Sequence, residues 1–288
     1  MTAPTRTPTG TEPAEPGTAL DQALKARHRA MWALGDYPSV ATHVIPELGR
    51  VLVRAAGIAP GMRVLDVAAG TGNAAIPAAL TGADVTAADL TPELLDVGRA
   101  HATEQGASLT WDVADVEALP YDDAAFDAVV SCVGAMFAPH HRATADEMLR
   151  VTRPGGTIGL ISWTPAGFIG QMFATMKPFV PPPPAGVQPP PLWGDEAHVR
   201  ELLDVGVTDL HAEKRLLTVD HFARPEDFRD FFKARYGPTI AAYRGLADDP
   251  ERAAELDRQL ADLARRFDRG AGSTVMDWEY LLVTARRR

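Results

Sequence analysis

The chain has 288 residues, of which 46% are hydrophobic, which is typical of one large globular domain with a substantial core. Its formal net charge of −10 disfavours a nucleic-acid substrate, because proteins that bind nucleic acids usually carry a basic surface. The single cysteine, Cys132, excludes an internal disulfide framework. None of the eight histidines shows metal-ligand spacing such as HxxxH, so the sequence predicts no metal.

The N-terminal segment, residues 1–17, is rich in Thr, Pro, Glu and Gly. It lacks the apolar stretch of a signal peptide, so we expect a disordered tail. The longest apolar stretch, around residues 128–139, is too short to span a bilayer. These features predict a cytoplasmic protein that does not associate with membranes.

Residues 18–60 are expected to form an N-terminal helical lid. Apolar residues recur among charged ones over residues 20–34, which predicts a helix that ends before Pro38. A second helix is predicted over residues 40–56, with a bend at Pro46.

From residue 62 to residue 163, strands and helices alternate, which predicts a parallel sheet with helices on both faces. The segment 61–165 is therefore expected to form one core. Its predicted strands are residues 64–67, 83–88, 109–113, 126–131 and 157–163, and its predicted helices include 73–80 and 144–149. Residues 153–156, with the sequence Arg-Pro-Gly-Gly, are predicted to form a turn.

The pattern changes in the last part of the chain, residues 166–288. Eight prolines lie between residues 178 and 191; we expect a wall over a ligand pocket there, with an SH3-type ligand as the alternative. Helices are predicted at residues 197–203, 226–236 and 246–267, and strands at 210–219 and 274–284. The region 225–270 would then be a helical cap.

The most informative motif is the glycine-rich segment that runs from Asp66 to Asn73 after an apolar strand. Glycines at 70 and 72 let the backbone approach a ligand closely. Gly70-x-Gly72-x-x-Ala75 also satisfies the loose dinucleotide fingerprint, so the turn alone does not decide between NAD and S-adenosylmethionine.

Three acids help to distinguish the two cofactors. A carboxylate at Asp66 suits a cationic sulfonium with an amino-acid tail and opposes an anionic pyrophosphate. Asp89, with Leu90 after it, ends the second strand, where an acid accepts hydrogen bonds from both ribose hydroxyls of either cofactor. Asp115 follows the third strand, where it can accept from an adenine amino group while the backbone N–H of Val116 donates to the ring.

With these motifs in this order, and with Arg-Pro-Gly-Gly at 153–156, the chain resembles the class I S-adenosylmethionine-dependent methyltransferases from about residue 62 to residue 163. The resemblance implies a Rossmann-like, doubly wound α/β sheet of seven strands in the order 3-2-1-4-5-7-6, with strand 7 antiparallel. Ala68 stands where the family often has glycine. The resemblance implies a cofactor site formed by Trp32, Tyr37, Asp66, Ala68, Gly70, Gly72, Asn73, Asp89, Leu90, Asp115, Val116 and Ser131.

Acceptor residues are expected before the first strand and after the fourth, because these segments flank the donor methyl in that family. Our hypothesis is that Trp32 and Tyr37 close over the cofactor and that His140 or Tyr37 approaches the acceptor. His140 and His141 also fit a polar helix start. Aromatic residues follow the fifth strand and fit either an acceptor cap or ordinary core: Phe168, Phe173, Phe179, Trp193, Phe222, Phe231, Phe232, Tyr236 and Tyr243.

The sequence therefore predicts a methyltransferase that uses S-adenosylmethionine and acts on a small aromatic molecule. The transfer could be to O, N or C, for example of an indole or phenol in secondary metabolism. A non-catalytic S-adenosylmethionine-binding or interaction protein is the alternative, and an NAD-dependent oxidoreductase fits Asp66 less well. Oligomeric state is left open, with a homodimer among the options.

Overall fold

The computed structural model describes residues 16–288. Residues 1–15 of the predicted tail lie outside the described residues. The last residue of the predicted tail is Gly17, which donates its backbone N–H to the Asp21 carboxylate at 2.9 Å. Among the described residues, no helix is both long enough and apolar enough to cross a membrane.

A seven-stranded sheet in the order β3-β2-β1-β4-β5-β7-β6 forms the centre of the fold, as the sequence predicted. Strand β7 is antiparallel to β5 and β6, and the remaining neighbours pair in parallel. The strands are β1 (Arg63–Val67), β2 (Asp84–Asp89), β3 (Thr110–Val113), β4 (Phe126–Cys132), β5 (Thr152–Trp163), β6 (Val207–Val219) and β7 (Met276–Arg287). Because the first five of these strands in the sheet run in the same direction, their carboxyl ends meet at one edge, where such folds bind ligands.

Helices flank the sheet and also occupy residues 18–60 and 225–270. They are α1 (Ala19–Trp32), α2 (Tyr37–His43), α3 (Leu48–Ala55), α4 (Ala75–Ala79), α5 (Pro92–Glu104), α6 (His141–Val151), α7 (Phe168–Met176), α8 (Glu196–Leu203), α9 (Pro225–Arg235), α10 (Gly237–Gly245) and α11 (Pro250–Phe267). Short 3₁₀ turns span Ala135–Phe137, Lys177–Phe179 and Pro190–Gly194. Helices α9 to α11 lie between β6 and β7 in the chain, where the helical cap was expected.

Two helix predictions are wrong. Residues 40–56 form two helices rather than one bent helix, because α2 ends at His43 and Pro46 lies in the break before α3. The long final helix begins at Pro250 rather than at residue 246, since the Asp249 side chain accepts the backbone N–H of Arg252 at 3.1 Å and caps it there.

The predicted turn at residues 153–156 is also wrong, because β5 begins at Thr152, which pairs with Phe126. An irregularity in the register between β4 and β5 accommodates Gly155, whose φ is +72°. The Arg153 guanidinium donates to Asp127 at 2.5 Å and holds this irregular segment against β4.

Candidate active site

The turn after β1 adopts a left-handed backbone at three positions, with φ values of 51° at Ala68, 55° at Gly70 and 87° at Gly72. Glycine adopts this conformation without strain, whereas the alanine at 68 carries some. The Gly70 N–H donates to Asp89 Oδ2 at 2.8 Å, which fixes the turn to the end of β2. The sequence therefore builds a tight, tethered turn at the carboxyl edge of the sheet.

A cavity with about 790 Å³ of empty space, part of it open to solvent, lies over this turn. Ligands bind in concave sites of this kind at the carboxyl edge of a parallel sheet. Most of the predicted cofactor residues line it, namely Trp32, Tyr37, Ala68, Gly70, Asn73, Asp89, Leu90, Asp115 and Val116. The fold thus brings together side chains from the lid, the turn and the ends of β2 and β3.

Asp89 is the central carboxylate of the cavity, and only 8% of it is exposed. Its Oδ1 accepts the Thr91 N–H at 2.8 Å, and its Oδ2 accepts the Gly70 N–H. Burial raises the pKa of Asp89, while these two donors oppose the rise. Each carboxylate oxygen has a second lone pair, which leaves acceptor capacity for ligand hydroxyls.

Asp66 is buried beneath the turn and is absent from the lining of the cavity, so its contact with a cofactor stays a prediction. Its Oδ2 accepts the Ala75 N–H at 2.8 Å, so the side chain caps the start of α4. Its Oδ1 has no hydrogen-bond partner among the described residues. Burial above all, with a smaller contribution from the Asp89 charge, raises the pKa of Asp66 to about 8.

Two further predicted cofactor residues, Gly72 and Ser131, also lie outside the lining of the cavity. The Ser131 hydroxyl donates to the Val67 carbonyl at 2.7 Å and accepts the Ala135 N–H at 2.8 Å. A Cβ on Gly72 would lie 2.8 Å from the Trp111 ring, so this glycine allows that ring to pack against the turn. Both residues lie behind the lining of the cavity, and their contact with a cofactor stays a prediction.

One face of α1 closes the cavity, and the sequence analysis missed part of it. Lys25 and His28 line the cavity together with the predicted Trp32. Their spacing places them on the same side of the helix. Burial lowers the pKa of His28, which favours its neutral form. The sequence contained one signal that could have drawn attention to Lys25, because the chain has only four lysines.

The Lys25 ammonium joins three carboxylates at the rim of the cavity. Its Nζ lies 2.6 Å from Asp115, 2.7 Å from Glu117 and 3.0 Å from Asp21. Although burial acts to lower it, hydrogen bonds to these three acids raise the pKa of Lys25. Asp21, Glu117 and His140 form the kind of cluster that can hold a metal ion, but here the Lys25 ammonium already supplies a cation to both carboxylates.

His140 belongs to this cluster and lies outside the lining of the cavity. Its Nε2 lies 3.2 Å from Asp21 Oδ1, and its backbone N–H donates to Glu117 at 2.6 Å. His140 occupies the N-cap position of α6, which agrees with the alternative of a polar helix start. Its side chain caps no N–H there. The ring of His140 thus contacts Asp21 of α1, and its approach to an acceptor stays a prediction.

We expect Lys25→Met to lower the free energy of unfolding by about 3 kcal/mol, because it leaves the buried Asp21 and Glu117 carboxylates without their cation. It should also weaken binding of ligands to the cavity, since α1 loses its bonds to the rim. Thermal melting and calorimetric titration measure the two effects. Lys177→Met, at an exposed lysine, is the matched control, and equal melting temperatures for the two variants would contradict the assignment.

A second, smaller cavity with about 320 Å³ of empty space adjoins the first. Tyr37, Val133 and Phe137 line both cavities and form a shared wall. Its other lining residues are apolar or aromatic: Val40, Ile45, Trp163, Ile169, Phe232, Tyr236 and Trp278. Trp32 packs edge-on against Tyr37 at 5.6 Å and Phe137 at 4.8 Å between ring centroids, which closes this region from the lid side.

The other predictions about the acceptor region have mixed outcomes. No residue of the proline-rich segment 178–191 lines either cavity, so the predicted pocket wall is wrong. Its Gln188 side chain instead accepts the His141 N–H at 3.1 Å. Of the aromatic residues after β5, Phe232 and Tyr236 line the second cavity, whereas Phe168 is packed into the core.

Comparison with known proteins gives consistent matches. The model of a methyltransferase domain matches residues 64–156. An uncharacterized protein of Mycobacterium tuberculosis H37Rv is 54% identical over 268 residues, which cover 93% of this chain and 97% of the relative. A demethylmenaquinone methyltransferase of Renibacterium salmoninarum is 41% identical over 109 residues, 38% of this chain and 44% of that protein.

Among solved structures, the YcgJ protein from Bacillus subtilis matches with a TM-score of 0.59 at 16% identity, over 84% of this chain and 98% of that one. This likeness shows a shared fold. The matched domain covers β1 to the start of β5, and therefore includes the Gly70 turn, Asp89 and Asp115. Residues 64–156 therefore belong to a methyltransferase domain, and the sheet around them has the strand order of the class I enzymes, which use S-adenosylmethionine as their methyl donor.

Proposed function

We propose that this methyltransferase transfers the methyl group to a small aromatic molecule, with phenols and indoles of secondary metabolism as the first candidates. The observation that carries the proposal is the second cavity, whose apolar and aromatic lining meets the first cavity at Tyr37, Val133 and Phe137. Such a lining suits a flat apolar ligand. The partial likeness to an enzyme named for demethylmenaquinone, a quinone, supports the same class.

The first cavity fits the donor in three respects. Asp89 keeps acceptor capacity for the ribose hydroxyls, and Asp115 with Val116 lines the part of the cavity where an adenine would lie. The orphaned Asp66 Oδ1 gives an uncompensated acidic group beneath the Gly70 turn, where the cationic methionine end would lie. We propose that these residues bind the donor, with Trp32 and Tyr37 closing over it.

The chain's own contribution to the reaction is positioning and exclusion of water. Bound S-adenosylmethionine supplies an electrophilic methyl group on a cationic sulfur, and the acceptor's nucleophile forms its new bond as the sulfur–methyl bond breaks. Holding the two reactants in line at the shared wall provides most of the acceleration. The aromatic packing of Trp32 and Phe137 keeps water from that wall.

The described residues place no general base in the lining of the second cavity. Burial raises the pKa of Tyr37 and of Cys132, a lining residue of the first cavity, so both stay protonated near neutral pH. The Tyr37 hydroxyl can therefore orient an acceptor by donating a hydrogen bond, and it cannot remove a proton efficiently. We infer that the acceptor reacts at an electron-rich centre that needs no prior deprotonation, such as a ring carbon of an indole or a phenol, whose proton leaves to water after the transfer.

The cap and the lid receive proposed roles from their contacts. Phe232 of α9 and Tyr236, between α9 and α10, line the second cavity, which supports the region 225–270 as an acceptor cap. Lys25, His28 and Trp32 of α1 line the first cavity, which supports residues 18–60 as a lid over the donor.

Methyl transfer from deuterium-labelled S-adenosylmethionine, followed by mass spectrometry, tests the proposed acceptor class. The panel would contain phenols, indoles and hydroquinones beside aliphatic amines, phosphorylated amines and carboxylates. We expect label in aromatic products alone and none with Asp89→Ala. Label confined to aliphatic or phosphorylated acceptors would refute the proposal while leaving the methyltransferase assignment intact.

A further inference from the structure

Trp278 of β7 lines the second cavity and is 1% exposed. Its indole Nε1–H has no hydrogen-bond partner among the described residues. An indole nitrogen can only donate, and a buried one usually finds an acceptor. An unpaired donor on a residue that lines a cavity is therefore a group that a ligand can satisfy at a gain in free energy.

Neighbouring rings hold this indole in place. Trp278 stacks on Phe168 with a centroid distance of 5.1 Å and an interplanar angle of 17°. Trp163 and Phe232 contact it edge-on at 5.8 and 5.9 Å. Because its orientation is fixed before a ligand arrives, little conformational freedom is lost when it forms a hydrogen bond.

The lining of the second cavity, as far as residues 16–288 supply it, contains no carboxylate, ammonium, guanidinium or imidazole group. Its other polar groups are the Tyr37 and Tyr236 hydroxyls and the Trp163 indole, and burial raises the pKa of both tyrosines. A charged ligand would lose its hydration there without gaining a partner of opposite charge.

We propose that the second cavity binds an uncharged aromatic molecule whose oxygen, as a carbonyl, ether or phenol, accepts a hydrogen bond from Trp278 Nε1. This inference rests on the proposed aromatic acceptor and adds its charge and the group that orients it. Trp278 is then a positioning residue for the acceptor, and it takes no part in bond making.

Three probes of similar shape separate the contribution of the hydrogen bond from that of charge. They are acetophenone, α-methylstyrene, in which a methylene replaces the oxygen, and benzoate, which is charged. Each is titrated against wild-type enzyme saturated with S-adenosylhomocysteine and against Trp278→Phe, which keeps an aromatic ring and removes the N–H. Trp193→Phe is the matched control, because Trp193 is equally buried, also has an unpartnered Nε1 and lies outside both cavities.

We expect Trp278→Phe to weaken acetophenone binding by roughly five- to tenfold and to leave α-methylstyrene binding unchanged. Trp193→Phe should change neither, and benzoate should bind wild type least. Should Trp278→Phe fail to fold, the wild-type spectrum still decides. One of the five tryptophan indole N–H resonances should then shift with acetophenone but not with α-methylstyrene, and it should persist in Trp193→Phe.

The proposal is overturned if Trp278→Phe affects both neutral probes equally, if benzoate binds as tightly as acetophenone, or if no probe binds. If Trp278→Phe changes the binding of both neutral probes equally and both probes still bind, the hydrogen bond is refuted but the aromatic acceptor class is not. Label transferred only to non-aromatic acceptors would remove that class as well, so the two failures are distinguishable.

Discussion

Asp89→Ala is expected to weaken binding of S-adenosylhomocysteine by about a hundredfold or more. The carboxylate is the acceptor proposed for the two ribose hydroxyls, and each hydrogen bond to a charged group contributes about 1.5–3 kcal/mol. The substitution also releases the Gly70 and Thr91 N–H groups that the carboxylate now binds, so the turn loses its tether to β2. Both effects weaken ligand binding.

Isothermal titration calorimetry measures this loss directly. Asp96→Ala, at an exposed acid of α5, is the control and should bind like wild type. The variant's melting temperature separates a damaged turn from an unfolded protein. An affinity for Asp89→Ala within threefold of wild type would show that the ribose lies elsewhere.

Asp66→Asn is expected to have opposite effects on stability and on donor binding. The folded chain holds the Asp66 proton up to a pKa of about 8, whereas the pKa of an aspartate in an unfolded chain is about 3.9. Because the unfolded state releases this proton first, the residue costs stability from pH 4 upward, by about 1.4 kcal/mol for each pH unit, until pH 8. An amide cannot ionise and can still accept the Ala75 N–H.

The melting temperature of unliganded Asp66→Asn should therefore exceed that of wild type, and the difference should grow between pH 5 and pH 8. Asp84→Asn, at an exposed acid of β2, should show no such trend. A constant difference across this range would mean that Asp66 is already ionised in the folded chain.

Binding of S-adenosylmethionine to Asp66→Asn should be about tenfold weaker at pH 8, because the cationic methionine end loses a nearby buried carboxylate. The loss should be smaller at pH 6, where wild-type Asp66 is itself protonated in the unliganded chain. Equal affinities of wild type and Asp66→Asn at pH 8 would show that Asp66 only caps α4 and would contradict the electrostatic role.

Local patterns located the strands, and the resemblance to the class I methyltransferases implied their order and the residues of the first cavity. Alternation of apolar segments with glycine turns located all seven strands, and the positions of Asp89 and Asp115 at strand ends brought them to one edge. The motif also located the turn that carries Gly70. These features depend on residues close together in the chain.

Contacts between distant residues could not be predicted in this way. His140 and Asp21 are 119 positions apart, so nothing local indicates that the histidine braces α1. The second cavity combines residues from Tyr37 to Trp278, and its existence depends on how the cap packs on the sheet. Asp66 was placed correctly in sequence, but its burial under the turn depends on the direction of its side chain.

A crystal structure with S-adenosylhomocysteine and acetophenone tests the central claim most directly, that donor and acceptor occupy two cavities joined at Tyr37, Val133 and Phe137. The account predicts ribose hydroxyls on Asp89, the sulfur at the shared wall and acetophenone in the second cavity. Electron density for the sulfur far from that wall, or for the probe outside the second cavity, would contradict it.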